Sequence, residues 1–578
     1  MSPHTLPRLE RFTVAFALLA RLGLLQVFSN SAWGKYPMVD AFTYWEQANQ
    51  LLAGKEPFAE GYYQPPAYPL LLSGLGTLTG GLQLGTARLA QVLLGGLTTL
   101  LLVRLGRKLG EPMGAPWVGA AAGLVYTFYP PVVMFELDIL TPAVTSAALV
   151  GALSLLEGAQ RPWRLGAAGL LLGLAVAAHP TYLLGAAVII GAAAWGAQQR
   201  GQAAGLLLGG LLLPLAPTAI ENYRQFETVE LVSHNAGINF YLGNNAGWRD
   251  SSFLRPGLPF RQLALQAEPD KRDVAARNRY WKDRTWTEIK EAPDAWLAAL
   301  ATKAIWSVSN VEIPRNEDFR CRMVPGEVFW VYSVFPFRYG LVLPFAVAGA
   351  VVLLRRREGK LVALWLALHA PVVLFIVSDR YRLATWPVMS LLGPLGLAGL
   401  LQVAAAWRAT QTPAPWAFLA VAPALLLPWL PLDRRTEMDP SLCAYQKGDL
   451  LYMEKKYPEA QAAYEAVVQA RPQDMGAHYW LANLAALRKD WSAASGHMVI
   501  VLEQFPDYFP GLKSMGEWAD RQGDLDGAIA YTERAYAVPG DRTATGRRLV
   551  RLLKKAGRTA EAEALVASNP KLASGSEE

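Results

Sequence analysis

Residues 33–70, WGKYPMVDAFTYWEQANQLLAGKEPFAEGYYQPPAYPL, decide how the rest of the chain reads. They follow an apolar run from Phe12 to Phe28 whose only charge is Arg21, so this aromatic-rich loop starts where a spanning helix would leave a bilayer. An ionisable side chain at that depth is costly unless it is used, which makes Asp40 a candidate functional group. The competing reading is a helix-capping or solvated aspartate.

Composition agrees with a membrane setting. The chain has 578 residues, of which 52% are hydrophobic and 17% charged, and its mean hydropathy is positive; ordinary soluble domains carry more charge. Nineteen Trp and 22 Tyr fit many interfacial crossings. The net charge of +7 does not point to nucleic acid, because Arg and Lys fall in short clusters between apolar runs, such as RLGRK (104–108) and RRREGK (355–360). Such clusters are topology signals. The first apolar run has no small-residue cleavage pattern after it and reads as an uncleaved span. Cys321 and Cys443 exclude a thiolate metal site and a Cys-X-X-Cys motif, and permit one disulfide if both lie outside the cytoplasm.

Windows long enough for about 30 Å of hydrocarbon fall near 12–29, 86–103, 114–130, 139–157, 165–179, 181–197, 203–220, 331–354, 361–377, 384–404 and 414–431. The fragment 66–81 is apolar but Gly-rich and short, which leaves it re-entrant or interfacial and the expected total at eleven to thirteen spans. With the N-terminus inside, the loops 104–113, 158–164, 198–202, 355–360 and 405–413 are cytoplasmic and hold the basic clusters. The same walk puts Asp40, the Phe135–Asp138 turn, the His179–Pro180 junction, the segment 221–330, the Ser378–Arg382 turn and everything after 431 outside.

The segment 221–330 is too long for a plain connection and predicts an extracytoplasmic lobe of mixed structure. Gly237, Gly243, Gly247 and the pair Asn244–Asn245 read as turns around two short extended pieces, followed by amphipathic helices between 272 and 310. From 440 the composition turns soluble. Pro472 and Pro506 stand one 34-residue period apart, and Ala460, Ala494, Ala528 and Ala562 keep that period. This pattern resembles tetratricopeptide repeats and implies an α-solenoid over 440–570, leaving a multi-span domain over 1–436 and a tail, 571–578, expected to be disordered.

The charged turns suggest a site. Asp138, in MFELDILTP, reads either as a first-turn acid of the next helix or as a second carboxylate beside Asp40, with Glu136 as its rival. Arg380 and Arg382, in VSDRYRLATWP, are basic on the side where basic residues are not topogenic, and two guanidinium groups suit a phosphate.

The order of PMVDAFTYWEQANQLLAGKEPF, YYQPPAYPLLL, LDILTP, SHNAGINFYLGNNAGW, VEIPRNEDF and SDRYRLATWPV resembles glycosyltransferase family 39, whose relatives include protein O-mannosyltransferases and aminoarabinose transferases. The resemblance covers roughly residues 12–400. It implies an all-α, polytopic, GT-C-like membrane enzyme that transfers sugar with inversion from a polyprenyl-phosphate donor to an acceptor protein or an envelope glycan or lipid. Asp40 matches the base, Asp138 the second acid, and Arg380 or Arg382 the arginine facing the donor phosphate. Glu136, Tyr62, Tyr63, Gln64, Asn239 and Asn244 complete the expected substrate-binding set. Tyr63 and Gln64 replace the acid and lysine of the aminoarabinose enzymes, and Ala41 replaces a second acid of many protein O-mannosyltransferases. No cofactor is expected to be required, with a divalent metal left open. The implied location is a bacterial cytoplasmic (inner) membrane with site and repeats periplasmic, and the repeats are expected to take an envelope partner. The alternatives are a transporter, expected to carry mid-span charges and an internal repeat, and a non-catalytic assembly scaffold.

Overall fold

The computed structural model describes residues 7–158, 161–267, 273–330, 337–410, 419 and 421–572. Among the described residues every regular element is a helix. The chain divides into two units, Met1–Leu254 with Asp273–Met438, and Arg255–Arg272 with Asp439–Glu578.

In the first unit the stretches Arg8–Asn30, Leu84–Met113, Arg200–Phe226 and Asp379–Ala409 are helical, long and apolar enough to cross a bilayer. Val118–Thr127 and Pro130–Leu137, bent by 57° at the break between them, would together make a fifth crossing. The remaining apolar windows yield shorter helices, Pro142–Leu155, Pro162–Ala178, Pro180–Trp195, Tyr339–Arg355 and Lys360–Leu374. Among the described residues four or five helices thus meet the length requirement, and the expected eleven to thirteen spans would include the shorter ones; parts of the windows 331–354 and 414–431 lie outside the described residues. Proline is the physical reason for much of the shortening. It occupies the first turn of the helices that start at Pro130, Pro142, Pro162 and Pro180, where its missing N–H does no harm but the preceding helix cannot run through. The fragment 66–81 becomes the helix Ala67–Thr79, closed by Gly80 at φ 70°.

Small residues let these helices approach closely. Where Pro162–Ala178 packs on Arg200–Phe226, a Cβ on Gly169 would stand 2.2 Å from the Leu207 carbonyl oxygen, and one on Gly210 would stand 2.3 Å from that of Gly166. Backbone contact of this kind is how apolar helices associate when there is no water to expel.

The segment 221–254 contains no strand, which corrects the mixed reading of the lobe. SHNAGINFYLGNNAGW folds as the helix Ala236–Asn244. Its glycines mark close approach instead of turns: a Cβ on Gly243 would lie 1.9 Å from the Phe375 carbonyl oxygen, and one on Gly237 would lie 2.2 Å from that of Asn278. Two longer helices come later in the lobe, Val274–Glu291, capped by the Asp273 side chain, and Pro293–Ser307.

Among the described residues the second unit has eight α-helices after residue 439: Pro440–Met453, Tyr457–Ala470, Met475–Leu487, Trp491–Gln504, Phe509–Gln522, Leu525–Ala537, Arg542–Lys555 and Thr559–Ser568. Every second one starts 34 residues after its predecessor, at Tyr457, Trp491, Leu525 and Thr559. The in-phase alanines Ala460, Ala494, Ala528 and Ala562 are all fully buried, where a larger side chain would hold the paired helices apart. Each helix packs on the next in chain order. The short helix Leu258–Ala264 belongs to this unit as well and packs on Met475–Leu487.

Two neighbouring glycines test the close packing. Gly210→Ala forces a Cβ onto backbone and is expected to cost about 1–3 kcal/mol. Gly209→Ala, whose Cβ meets nothing within 4 Å, is expected to be neutral or mildly stabilising. Thermal melts of the detergent-solubilised protein read both, and a Gly210→Ala protein melting at or above the wild type would refute the contact.

Candidate active site

Asp40 sits in the first turn of the helix Val39–Leu52. The residue before it, Val39, holds a φ of 48°, a left-handed backbone that a β-branched residue adopts at a cost of about 1–3 kcal/mol. Neighbours then fix the carboxylate. Oδ1 accepts from Gln64 Nε2 at 3.0 Å, while Oδ2 accepts from Asn316 Nδ2 at 2.7 Å and from Arg380 Nη1 at 2.5 Å.

Asp138 follows the helix Pro130–Leu137. Its Oδ2 accepts from Arg322 Nη1 at 2.9 Å, and the other arm of that guanidinium donates to Glu317 Oε2 at 2.5 Å. The backbone of this turn is held from the helix Leu84–Gly110. Gln91 Nε2 donates to the carbonyls of Glu136 at 2.8 Å and Asp138 at 2.6 Å, and Arg88 Nε donates to that of Leu137 at 2.8 Å. Arg88 Nη1 also donates to the Gly34 carbonyl at 2.5 Å, so one buried arginine ties the start of the first loop to the Asp138 turn.

Asp40 and Asp138 line one open pocket, together with Arg315, Asn316, Glu317 and Arg380. Met134, Phe135 and Phe319 supply apolar wall. Arg315 is the distinctive cation here. It is buried, and its hydrogen-bond partners among the described residues are backbone carbonyls, Leu254 at 2.7 Å and Ser252 at 3.5 Å, with no carboxylate. Glu317 is the distinctive acid. Burial pushes its carboxyl up to about 7, the Arg322 charge opposing and the Asp138 and Asp40 charges adding to the rise. Its Oε1 is buried without a hydrogen-bond partner among the described residues.

Of the residues expected to form the site, Asp40, Asp138 and Arg380 line the pocket and Gln64 bonds to one of them. Arg382 does not reach it. Its guanidinium donates to the Ser309 carbonyl at 2.7 Å, pairs with Glu312, and lies 4.1 Å over the Tyr339 ring. Glu136 is buried against Arg21 at 2.7 Å, in space left by Gly95, where a Cβ would meet the carboxylate at 2.5 Å. Tyr62 offers its carbonyl to the His234 N–H at 2.9 Å, and Tyr63 remains partly exposed. Asn239 bonds back to the Asn235 carbonyl at 3.0 Å. Asn244 braces the lobe, donating to the Leu374 carbonyl at 2.8 Å and accepting from Trp296 Nε1 at 2.9 Å and Lys303 Nζ at 3.1 Å.

Sequence reading passed over Arg88, Gln91, Arg315, Asn316, Glu317 and Arg322. The first two sit inside an apolar window, where an arginine and an amide three residues apart on one helical face were the available signal. The other four fall in the stretch 315–322, whose density of charge was the signal.

No family model matches the chain, and no curated protein matches it. Among solved structures, the Saccharomyces cerevisiae protein O-mannosyltransferase Pmt1–Pmt2 complex bound to the sugar donor is similar over 42% of this chain and 37% of that chain, at 16% identity and a TM-score of 0.31. The chain thus spans little more than a third of that protein's length.

The Glu317 carboxyl gives a test by pH. Its folded value lies above the ordinary 4.5, so the native state holds the proton more tightly than the unfolded chain. The stability this contributes is present below about 4.5 and is lost as pH rises through about 7. Glu317→Gln removes the dependence. Relative to wild type, the variant is expected to gain melting temperature between pH 5 and pH 8; a constant difference over that range would mean that Glu317 titrates as an ordinary carboxylate.

Proposed function

We propose that this protein is an inverting glycosyltransferase, of the family 39 and GT-C kind, that moves a sugar from a polyprenyl-phosphate donor to an extracytoplasmic acceptor, either a protein or an envelope glycan or lipid. The observation that carries the reading is the convergence of Asp40 and Asp138 on one pocket that also holds Arg380 and the acid-free Arg315.

Asp40 Oδ1 accepts one hydrogen bond from Gln64, which leaves it a lone pair for an acceptor hydroxyl. As that hydroxyl oxygen attacks the sugar C1 from the face opposite the phosphate, its proton passes to Asp40. The C1–O bond to the phosphate breaks, the electron pair leaves with the polyprenyl phosphate, and the configuration at C1 inverts. The departing phosphate gains charge, so a guanidinium beside it binds the transition state more strongly than the ground state. We assign that contact to Arg315, assisted by Arg380, in place of Arg382, which does not line the pocket and pairs with Glu312. Asp138, held by Arg322, orients the acceptor. The apolar wall excludes water that would otherwise hydrolyse the donor.

In this reading the chain crosses a bacterial inner membrane eleven to thirteen times, the shorter helices included, with the pocket and the C-terminal helix pairs in the periplasm. No cofactor is required. The helix pairs are tetratricopeptide-like and serve an acceptor or envelope partner.

The test is to incubate purified protein with a panel of polyprenyl-phosphate sugars and to read polyprenyl-phosphate release by mass. Asp40→Asn keeps the shape and removes the base, and is expected to lower turnover by about 10²–10⁴-fold. Arg315→Ala is expected to raise the donor KM as well, whereas Arg382→Ala should lower the melting temperature and leave the donor KM near wild type. No release from any donor, or full turnover by Asp40→Asn at saturating donor, would overturn the reading.

A further inference from the structure

The second unit contains a stretch that the chain order assigns elsewhere. Residues 255–267 lie in the sequence between residues of the first unit, yet group with the helices after 439. Leu258 is buried in the apolar cluster that includes Met475, Ala482, Phe505 and Tyr508. Gln262 Nε2 donates to the Gln504 carbonyl at 2.6 Å, and the Arg261 guanidinium lies 5.7 Å from the centre of the Tyr508 ring.

These three contacts share a logic. Positions 258, 261 and 262 stand at i, i+3 and i+4 on the helix Leu258–Ala264 and therefore on one face. The surface they meet offers an apolar socket, an aromatic face for a cation, and the carbonyl that ends the helix Trp491–Gln504, one of the last-turn acceptors that a helix cannot satisfy internally. Gln262 supplies the missing donor. A helix laid on a receptor surface is read through such anchors.

We propose that the surface around Met475, Gln504, Phe505 and Tyr508 is a peptide-binding site, and that residues 257–264 are its built-in occupant. The partner it fits is a short helical peptide with a leucine, a basic residue three positions later and a side-chain amide four positions later. A tethered segment competes at high effective concentration, so the intact chain masks the site, and a partner gains access only by displacing the segment. The inference is independent of the chemistry assigned to the pocket.

The test uses full-length protein in detergent and a fluorescent peptide of residues 254–267. Leu258→Asp removes the apolar anchor of the internal segment. Fluorescence anisotropy is expected to show the peptide binding this variant at least about tenfold more tightly than wild type, and a peptide carrying the same Leu258→Asp change binding neither protein. Amide exchange is expected to speed up at 257–264 in the variant while the helices after 439 keep their protection. If Leu258→Asp disturbs those helices, the milder pair Arg261→Ala with Gln262→Ala takes its place. Equal affinity for wild type and variant would show that the segment does not cover the site. Failure to bind a variant whose helices remain protected would make the segment part of the framework and no ligand.

Discussion

A carboxylate withdrawn from water has to be met by a cation, and four acids of the first unit are met by arginines remote in sequence. Asp40 pairs with Arg380, 340 residues on. Asp138 pairs with Arg322 at a separation of 184 residues, Glu136 with Arg21 at 115, and Glu312 with Arg382 at 70. Replacing such pairs by apolar residues need not destabilise a protein, but leaving one member alone costs about 3–5 kcal/mol. The pairs therefore act less as glue than as a register. A packing that slid one helix past another would strand several charges at once, which ties the first loop, the 136–138 turn, the 311–322 stretch and the 379–382 turn to one arrangement.

Within that register the pocket is one place where charge matching is incomplete. Glu136, Glu312 and Arg382 pair with opposite charge, whereas Arg315 lines the cavity with carbonyl partners and Glu317 Oε1 is buried with no hydrogen-bond partner among the described residues. Buried polar groups are usually satisfied, so such an oxygen beside a cavity is a place where a ligand can supply what the protein withholds. The left-handed Val39 beside Asp40 belongs to the same picture, since a strained residue persists only where its surroundings over-determine it.

The apolar runs, the 34-residue period and the prominence of Asp40, Asp138 and Arg380 were legible because each depends on local composition or periodicity. Arg322 and Arg315 were not, because their roles are set by partners 184 and 61 positions away, and Glu317 was not, because its role depends on burial beside Arg322. Arg88 and Gln91 were hidden by the hydropathy of their surroundings, although polar groups inside an apolar helix are where long-range hydrogen bonds are to be expected. Gly237 and Gly243 misled for another reason. Glycine serves turns and close backbone approach alike, and only the neighbouring element decides between them. Arg382 and Arg380 are indistinguishable in sequence, yet one faces the pocket and the other turns to Glu312.

The insertion 255–267 has a consequence in time. A chain made at about 5–20 residues per second exposes this segment well before Met475, and the gap of 208 residues amounts to roughly 10–40 s during which Leu258 has no socket. Throughout that interval the Leu258 side chain stands open to chaperones, to lipid and to neighbouring chains. A ribosome that stalls or stops before the repeats are made would release a protein in which that exposure never ends, so the fate of truncated products is set by a segment far upstream of the truncation.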